Sequence, residues 1–90
     1  MAEKIFLITV DTGVHARPAT LLVNKASQYS SAVELHYKEK SVNLKSIMGV
    51  MSLGIPQGAE VKVTTEGNDE EDAIEGITVL IEEHLGEIKE

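Results

Sequence analysis

Residues 32–37 read AVELHY, a strict alternation of apolar and polar side chains. Val33, Leu35 and Tyr37 share one side of an extended chain, and Glu34 and His36 share the other. A strand of that kind belongs to a sheet with one covered face and one wet face. The rest of the chain repeats the theme. After a turn near Lys38 and Glu39, SVNL alternates through Val42 and Leu44, which makes a hairpin. KIFLITV (4–10), with Phe6, Ile8 and Val10 inward, and EVKVTT (60–65), with Val61 and Val63 inward, supply two more strands. Between them the period changes. Ala19, Leu22, Val23 and Ala26 fall at helical spacing, in a helix ending near Ser30 and Ser31. A helix of one or two turns follows Ser46 and stops near Gly54. A last helix starts near Asp69 and carries Ile74, Ile77, Leu80, Ile81 and Leu85. Acids crowd its first turn, where the helix dipole favours them. Gly76 inside it costs about 1 kcal/mol relative to alanine. The predicted order is β-α-β-β-α-β-α. This is α+β: a two-layer open-faced β-sandwich, with a four-stranded, mainly antiparallel sheet and three helices on one face. A single domain spans 1–90.

Charge is unevenly distributed within the net −7. Residues 66–90 hold ten acids and one lysine. Residues 12–58 hold Arg17, Lys25, Lys38, Lys40 and Lys45 against Glu34 and Glu39. A partner docking on this basic middle is expected to be acidic. Few basic residues and only three aromatics, Phe6, Tyr29 and Tyr37, argue against nucleic acid. No cysteine is present, so thiolate chemistry and disulfides are excluded. No apolar run approaches the roughly 20 residues that cross a bilayer. MAEKIFLITV reads as a strand and not as a secretion signal. The expectation is a cytoplasmic protein with no membrane contact.

The chemistry concentrates at GVHARPAT, residues 13–20. His15 stands where the first helix begins, and helix N-termini bind anions through their backbone N–H groups. Pro18 lacks an N–H and is tolerated in a first turn, although it biases Arg17 away from helical dihedrals and predicts an irregular start. The amides of Ala16 and Arg17 are candidate donors to an anion on His15, and the Arg17 guanidinium can bind the same oxygens. Neutral imidazole is a nucleophile that can hold a covalent group. A lone histidine near a helix start is more often a surface or capping residue. His36 and His84 read as surface residues, and no metal-ligand spacing links the three. No metal and no cofactor are expected.

GVHARPAT, followed by NLKSIMGVMSLGIPQGAE, resembles the HPr family, the histidine-containing phosphocarriers of the bacterial phosphoenolpyruvate:sugar phosphotransferase system. The resemblance covers essentially the whole chain, and the two motifs are specific as a pair. It implies that His15 accepts a phosphoryl group from Enzyme I, on Nδ1, and passes it to sugar-specific IIA proteins, with Arg17 assisting. Such a chain is a relay and not an independent enzyme. KSIMGVMSLG is similar to the regulatory segment of the Gram-positive type. There Ser46 is the target of an ATP-dependent HPr kinase/phosphorylase, and the product is a corepressor with a catabolite control protein. Val14 replaces an isoleucine often found before the motif's first alanine. A related regulatory paralogue lacks the histidine, which this chain keeps.

Ser46 also has a structural role open to it, as N-cap of the short helix, worth about 1 kcal/mol. Ile47, Met48, Met51 and Leu53 are too many apolar residues for that helix to bury. Leu53 is expected in the core. Ile47, Met48 and Met51 are expected on a docking face with Thr20, where methionine adapts to several partners. A carrier using one face for successive partners is most simply a monomer. Two other functions compete with the carrier: a regulatory module whose His15 is silent, and a small hydrolase with His15 as base, for which no nucleophile or metal partner is visible.

Overall fold

A computed structural model of the chain describes residues 1–14 and 16–89. Eight elements follow one another: β1 (Ala2–Ile8), α1 (Ala16–Ala26), β2 (Ala32–Tyr37), β3 (Lys40–Asn43), α2 (Ile47–Ser52), β4 (Glu60–Glu66), α3 (Glu70–His84) and β5 (Gly86–Ile88). The strands form one antiparallel sheet in the order β3-β2-β4-β1-β5. The expected α+β architecture is present, with a correction: the sheet has five strands, not four. After the C-cap residue Leu85, the chain turns back along β1, and Phe6, Leu7 and Ile8 pair with Ile88, Glu87 and Gly86.

Alternation governs the packing. Phe6 and Ile8 of β1, Val33 and Leu35 of β2, and Val61 and Val63 of β4 are buried together. Ala19, Leu22 and Ala26 of α1, Val50 of α2, and Ala73, Ile74, Ile77 and Ile81 of α3 close the same core. Helix α3 lies over β1, β4 and β5 and packs against α1, which in turn packs against α2. Tyr37, Val42, Val23 and Leu80 sit partly buried at its edges. Val10 does too, although β1 ends two residues earlier than expected. The buried hydroxyls are satisfied: Thr65 donates to the Glu70 carbonyl (2.9 Å), Thr78 to the Ile74 carbonyl (2.7 Å), and Thr64 is hydrogen-bonded to His36 Nε2 (3.1 Å).

Helix α1 stops at Ala26, short of Ser30 and Ser31, and tightens into i→i−3 bonds from Gln28 to the Lys25 carbonyl and from Tyr29 to the Ala26 carbonyl. Asp69 precedes α3, but its carboxylate makes no cap bond to that helix. It instead accepts the N–H groups of Ser30 (3.0 Å) and Ser31 (2.9 Å) and the Ser31 hydroxyl. The turn after α1 is thereby tied to the start of α3. These bonds, the Ser31 hydroxyl foremost, pull the Asp69 carboxyl down to about 2 from an ordinary 3.8. Gly76 also has a structural reason. It faces α1, where an added Cβ would run into the Tyr29 hydroxyl and come within 3.0 Å of Lys25 Cε.

Two outcomes follow. A carboxyl depressed by folding contributes stability that is present above pH 3.8 and lost as pH falls toward about 2. Asp69→Asn should therefore lower the melting temperature at neutral pH, with the difference closing near pH 2 in a pH series of thermal melts. Gly76→Ala should destabilise the chain despite gaining about 1 kcal/mol of helix propensity. In a Tyr29→Ala background the same substitution should stabilise it, a reversal of sign readable in a double-mutant cycle.

Candidate functional site

The entry into α1 is built by the loop before it. Gly13 has φ 66° and lies so close to Ile55 and Pro56 that a Cβ would collide with the Ile55 carbonyl. The Gly13 N–H bonds the Val10 carbonyl (3.0 Å), and the N–H of buried Val14 bonds the Ile55 carbonyl (2.9 Å). Gln57 Nε2 donates to the Thr9 carbonyl (3.1 Å). Residues 9–14 are thus clamped on 55–57, which fixes where α1 starts. His15 lies outside the described residues.

Ala16 and Arg17 are the first two residues of α1, and both are exposed. Their N–H groups lie at the positive end of the helix dipole, where anions are favoured. The irregular first turn expected from Pro18 does not occur, since Arg17 is inside the helix. Pro18 is buried in the first turn, where its missing N–H costs no helical bond, and continuing the helix outweighs the pre-proline bias. One turn on, exposed Thr20 donates its hydroxyl to the Ala16 carbonyl at 2.8 Å.

Ser46 takes up its structural role. Its backbone is extended (φ −111°, ψ 113°), and its hydroxyl accepts the Gly49 N–H at 3.1 Å. The Ser46 N–H bonds the Asn43 carbonyl (3.0 Å), so the end of β3 sets the cap. Next to it, Lys45 Nζ donates to the Tyr29 carbonyl (2.8 Å), joining this corner to the turn after α1. Helix α2 buries Val50, and Leu53 behind it is buried as expected. Its other side is open: Met48 is 79% exposed, Met51 41% and Ile47 38%. These three and Ser52 surround a shallow hollow of about 320 Å³. An apolar group left in water on a helix that packs against α1 suits a protein partner.

A larger hollow, about 710 Å³, lies elsewhere, between His36, Lys62 and the segment Pro56–Gly58. None of its lining residues belongs to α1 or α2, although Pro56 and Gln57 also hold the loop before α1. Asp69 and Glu70, whose carboxyls are held low, sit beyond the far end of α1, about 16 Å along that helix from its start. His84 is exposed, and His36 is half-buried against Thr64. Among the described residues no group of three His, Asp or Glu side chains converges as a metal site would require. Among the described residues no helix is long and apolar enough to cross a membrane.

Reading the sequence missed the clamp of residues 9–14 on 55–57. Its signal in the sequence is Gly13, whose tight fit on Ile55 requires the fold to be known. Ser46→Ala should cost about 1 kcal/mol in chemical denaturation, and Ser46→Asp should recover most of it, since aspartate also caps.

Residues 2–83 match the family described as the PTS HPr component phosphorylation site. Solved structures agree. The histidine-containing phosphocarrier protein of Mycoplasma is 40% identical, with TM-score 0.89 over 91% of this chain and 93% of its own. HPr from Thermoanaerobacter tengcongensis is 51% identical, with TM-score 0.87 over 91% and 92%. Crh, a catabolite-repression protein of Bacillus subtilis solved as a domain-swapped dimer, is 43% identical, with TM-score 0.73 over 82% and 85%.

Proposed function

The chain belongs to the HPr family of phosphotransferase-system phosphocarriers, and from that premise we propose that its phosphoryl group is carried on His15, received from Enzyme I and delivered to sugar-specific IIA proteins. The observation that carries this reading is the match over residues 2–83, which spans both GVHARPAT and the Ser46 segment. In the proposed step the neutral His15 imidazole attacks phosphorus. The new N–P bond forms as the donor's bond to phosphorus breaks; the bonding pair stays with the donor group, and the His15 ring gains the one positive charge that the donor group gives up. Such a transfer needs positioning and charge stabilisation more than acid–base machinery. The first turn of α1 offers both, through the amides of Ala16 and Arg17 and the Arg17 guanidinium. In the return step a IIA protein takes the same phosphoryl group, so nothing is consumed and the chain acts as a relay.

Docking is assigned to Thr20, Ile47, Met48 and Met51. The exposed apolar side of α2 supports this assignment, as does the packing of α2 against α1. Ser46 is assigned as a regulatory phosphorylation site for an HPr kinase/phosphorylase. Its product would bind a catabolite control protein and so serve carbon catabolite repression. A phosphate there would still accept the Gly49 N–H, so the fold need not change. The added charge would instead act on an acidic partner approaching the docking face. The cytoplasm is the compartment in which these partners meet. Because Crh is a dimer, a monomer does not follow from the fold, and sedimentation of this chain decides it.

Incubation with Enzyme I and phosphoenolpyruvate should give an acid-labile phosphate that is absent from His15→Ala and present in Ser46→Ala. A chain that takes no label would overturn the carrier reading and favour a regulatory module. Release of free phosphate without a partner would favour a hydrolase. Ser46→Asp should slow transfer from Enzyme I about tenfold, chiefly through the association rate. Met48→Ser should raise the dissociation constant for Enzyme I and leave the melting temperature unchanged. A matching loss of stability would place Met48 in the core.

A further inference from the structure

The C-terminal strand lies on the outer edge of β1, and a consistent set of bonds holds it there. Lys89 N–H donates to the Ile5 carbonyl (2.8 Å), and the N–H groups of Thr9 and Val10 donate to the Leu85 carbonyl (2.9 and 3.2 Å). On the other side of β1, Ile8 N–H bonds the Ala59 carbonyl (2.9 Å), and Gly58 N–H bonds the Ile8 carbonyl (2.7 Å). In an antiparallel ladder these directions alternate. Residues 5, 7 and 9 therefore face β5, and residues 6 and 8 face β4. A side-chain link adds to the backbone. Lys89 Nζ reaches past β1 to Glu60 Oε1 of β4 at 2.9 Å. Gly86 lies so close to Leu7 that a Cβ would run into the Leu7 carbonyl, which is backbone and has nowhere to go.

This attachment is short. β5 has three residues, and its Glu87 and Ile88 side chains are exposed, so few contacts oppose its local opening. What it covers is not short. β1 is a seven-residue strand, AEKIFLI, with no proline or glycine and with charges only at Glu3 and Lys4. Such an edge, once bare, is a template for another strand.

We propose that β5 is a guard strand: it holds in cis an edge of β1 that otherwise pairs with the same edge of a second copy of this chain. The sequence of β1 suits that occupant. Two β1 edges related by a two-fold axis run antiparallel, and an isologous contact must complement itself. Centred on Ile5, the pairing sets Ile5 against Ile5 and Glu3 against Leu7, so no like charges oppose each other across the seam. The other side of β1 is filled by β4, which leaves the β5 side as the one that opens.

Sedimentation velocity on the full chain and its variants tests the proposal, with circular dichroism to verify folding. Gly86→Val drives β5 off Leu7 and should lower the concentration for dimer formation by about tenfold or more, because the competent state becomes the populated one. Lys89→Glu, which sets like charge against Glu60, should shift it in the same direction by less. Adding Leu7→Pro removes an N–H from the exposed edge and spares the ladder to β4, so it should return either variant to the full chain's behaviour. If Gly86→Val does not fold, Lys89→Glu and its Leu7→Pro double variant decide. Folded variants that sediment like the full chain would overturn the proposal. So would a dimer that survives Leu7→Pro.

Discussion

Phe6, Ile8, Val33, Leu35, Val61 and Val63 all turn to one side of the sheet, and the helices can lie nowhere else. Burying these side chains together with the apolar sides of the helices supplies the driving force for folding. The consequence is an asymmetric molecule. One layer is a sheet whose far side carries exposed Glu34 and Glu60 and half-buried His36 and Lys62. The other is a set of three helices whose outer faces are turned to solvent. The proposed function is displayed on a surface and not enclosed in a cleft.

Two local devices hold that surface in place. The loop before α1 is pinned to Ile55 and Gln57, and the turn after α1 is pinned to Asp69. Helix α1 is therefore fixed at both ends by segments distant in sequence. Helix α2 is positioned by Ser46 at its cap and by Val50 in the core. Its exposed methionines stand on a short, well-anchored helix, so the adaptable part of the proposed docking face is its side chains and not its backbone.

Much of this was legible in the sequence because periodicity reports burial. The alternation of AVELHY and the spacing of Ala19, Leu22 and Ala26 place strands and helices without any knowledge of contacts. Ser46 as a cap, and Leu53 as core, followed from local chemistry. What escaped depends on partners far along the chain. Gly86 behind Leu85 is an ordinary helix stop signal. That the next residues pair with β1 depends on where β1 ends in space, and a three-residue strand is too short to show a period. Asp69 looked like one more acid at a helix start, yet its carboxylate serves Ser30 and Ser31. The pre-proline rule at Arg17 was outweighed by the helix that Pro18 helps to start.

The central claim is that a single face, made by the start of α1 and the open side of α2, receives the phosphotransferase partners. Amide chemical-shift mapping of the isotope-labelled chain during titration with Enzyme I tests it most directly. The account predicts perturbations concentrated at residues 16–20 and 46–53, with the sheet's solvent face undisturbed. Perturbations centred on His36, Lys62 and Pro56–Gly58, with α2 unmoved, would contradict it.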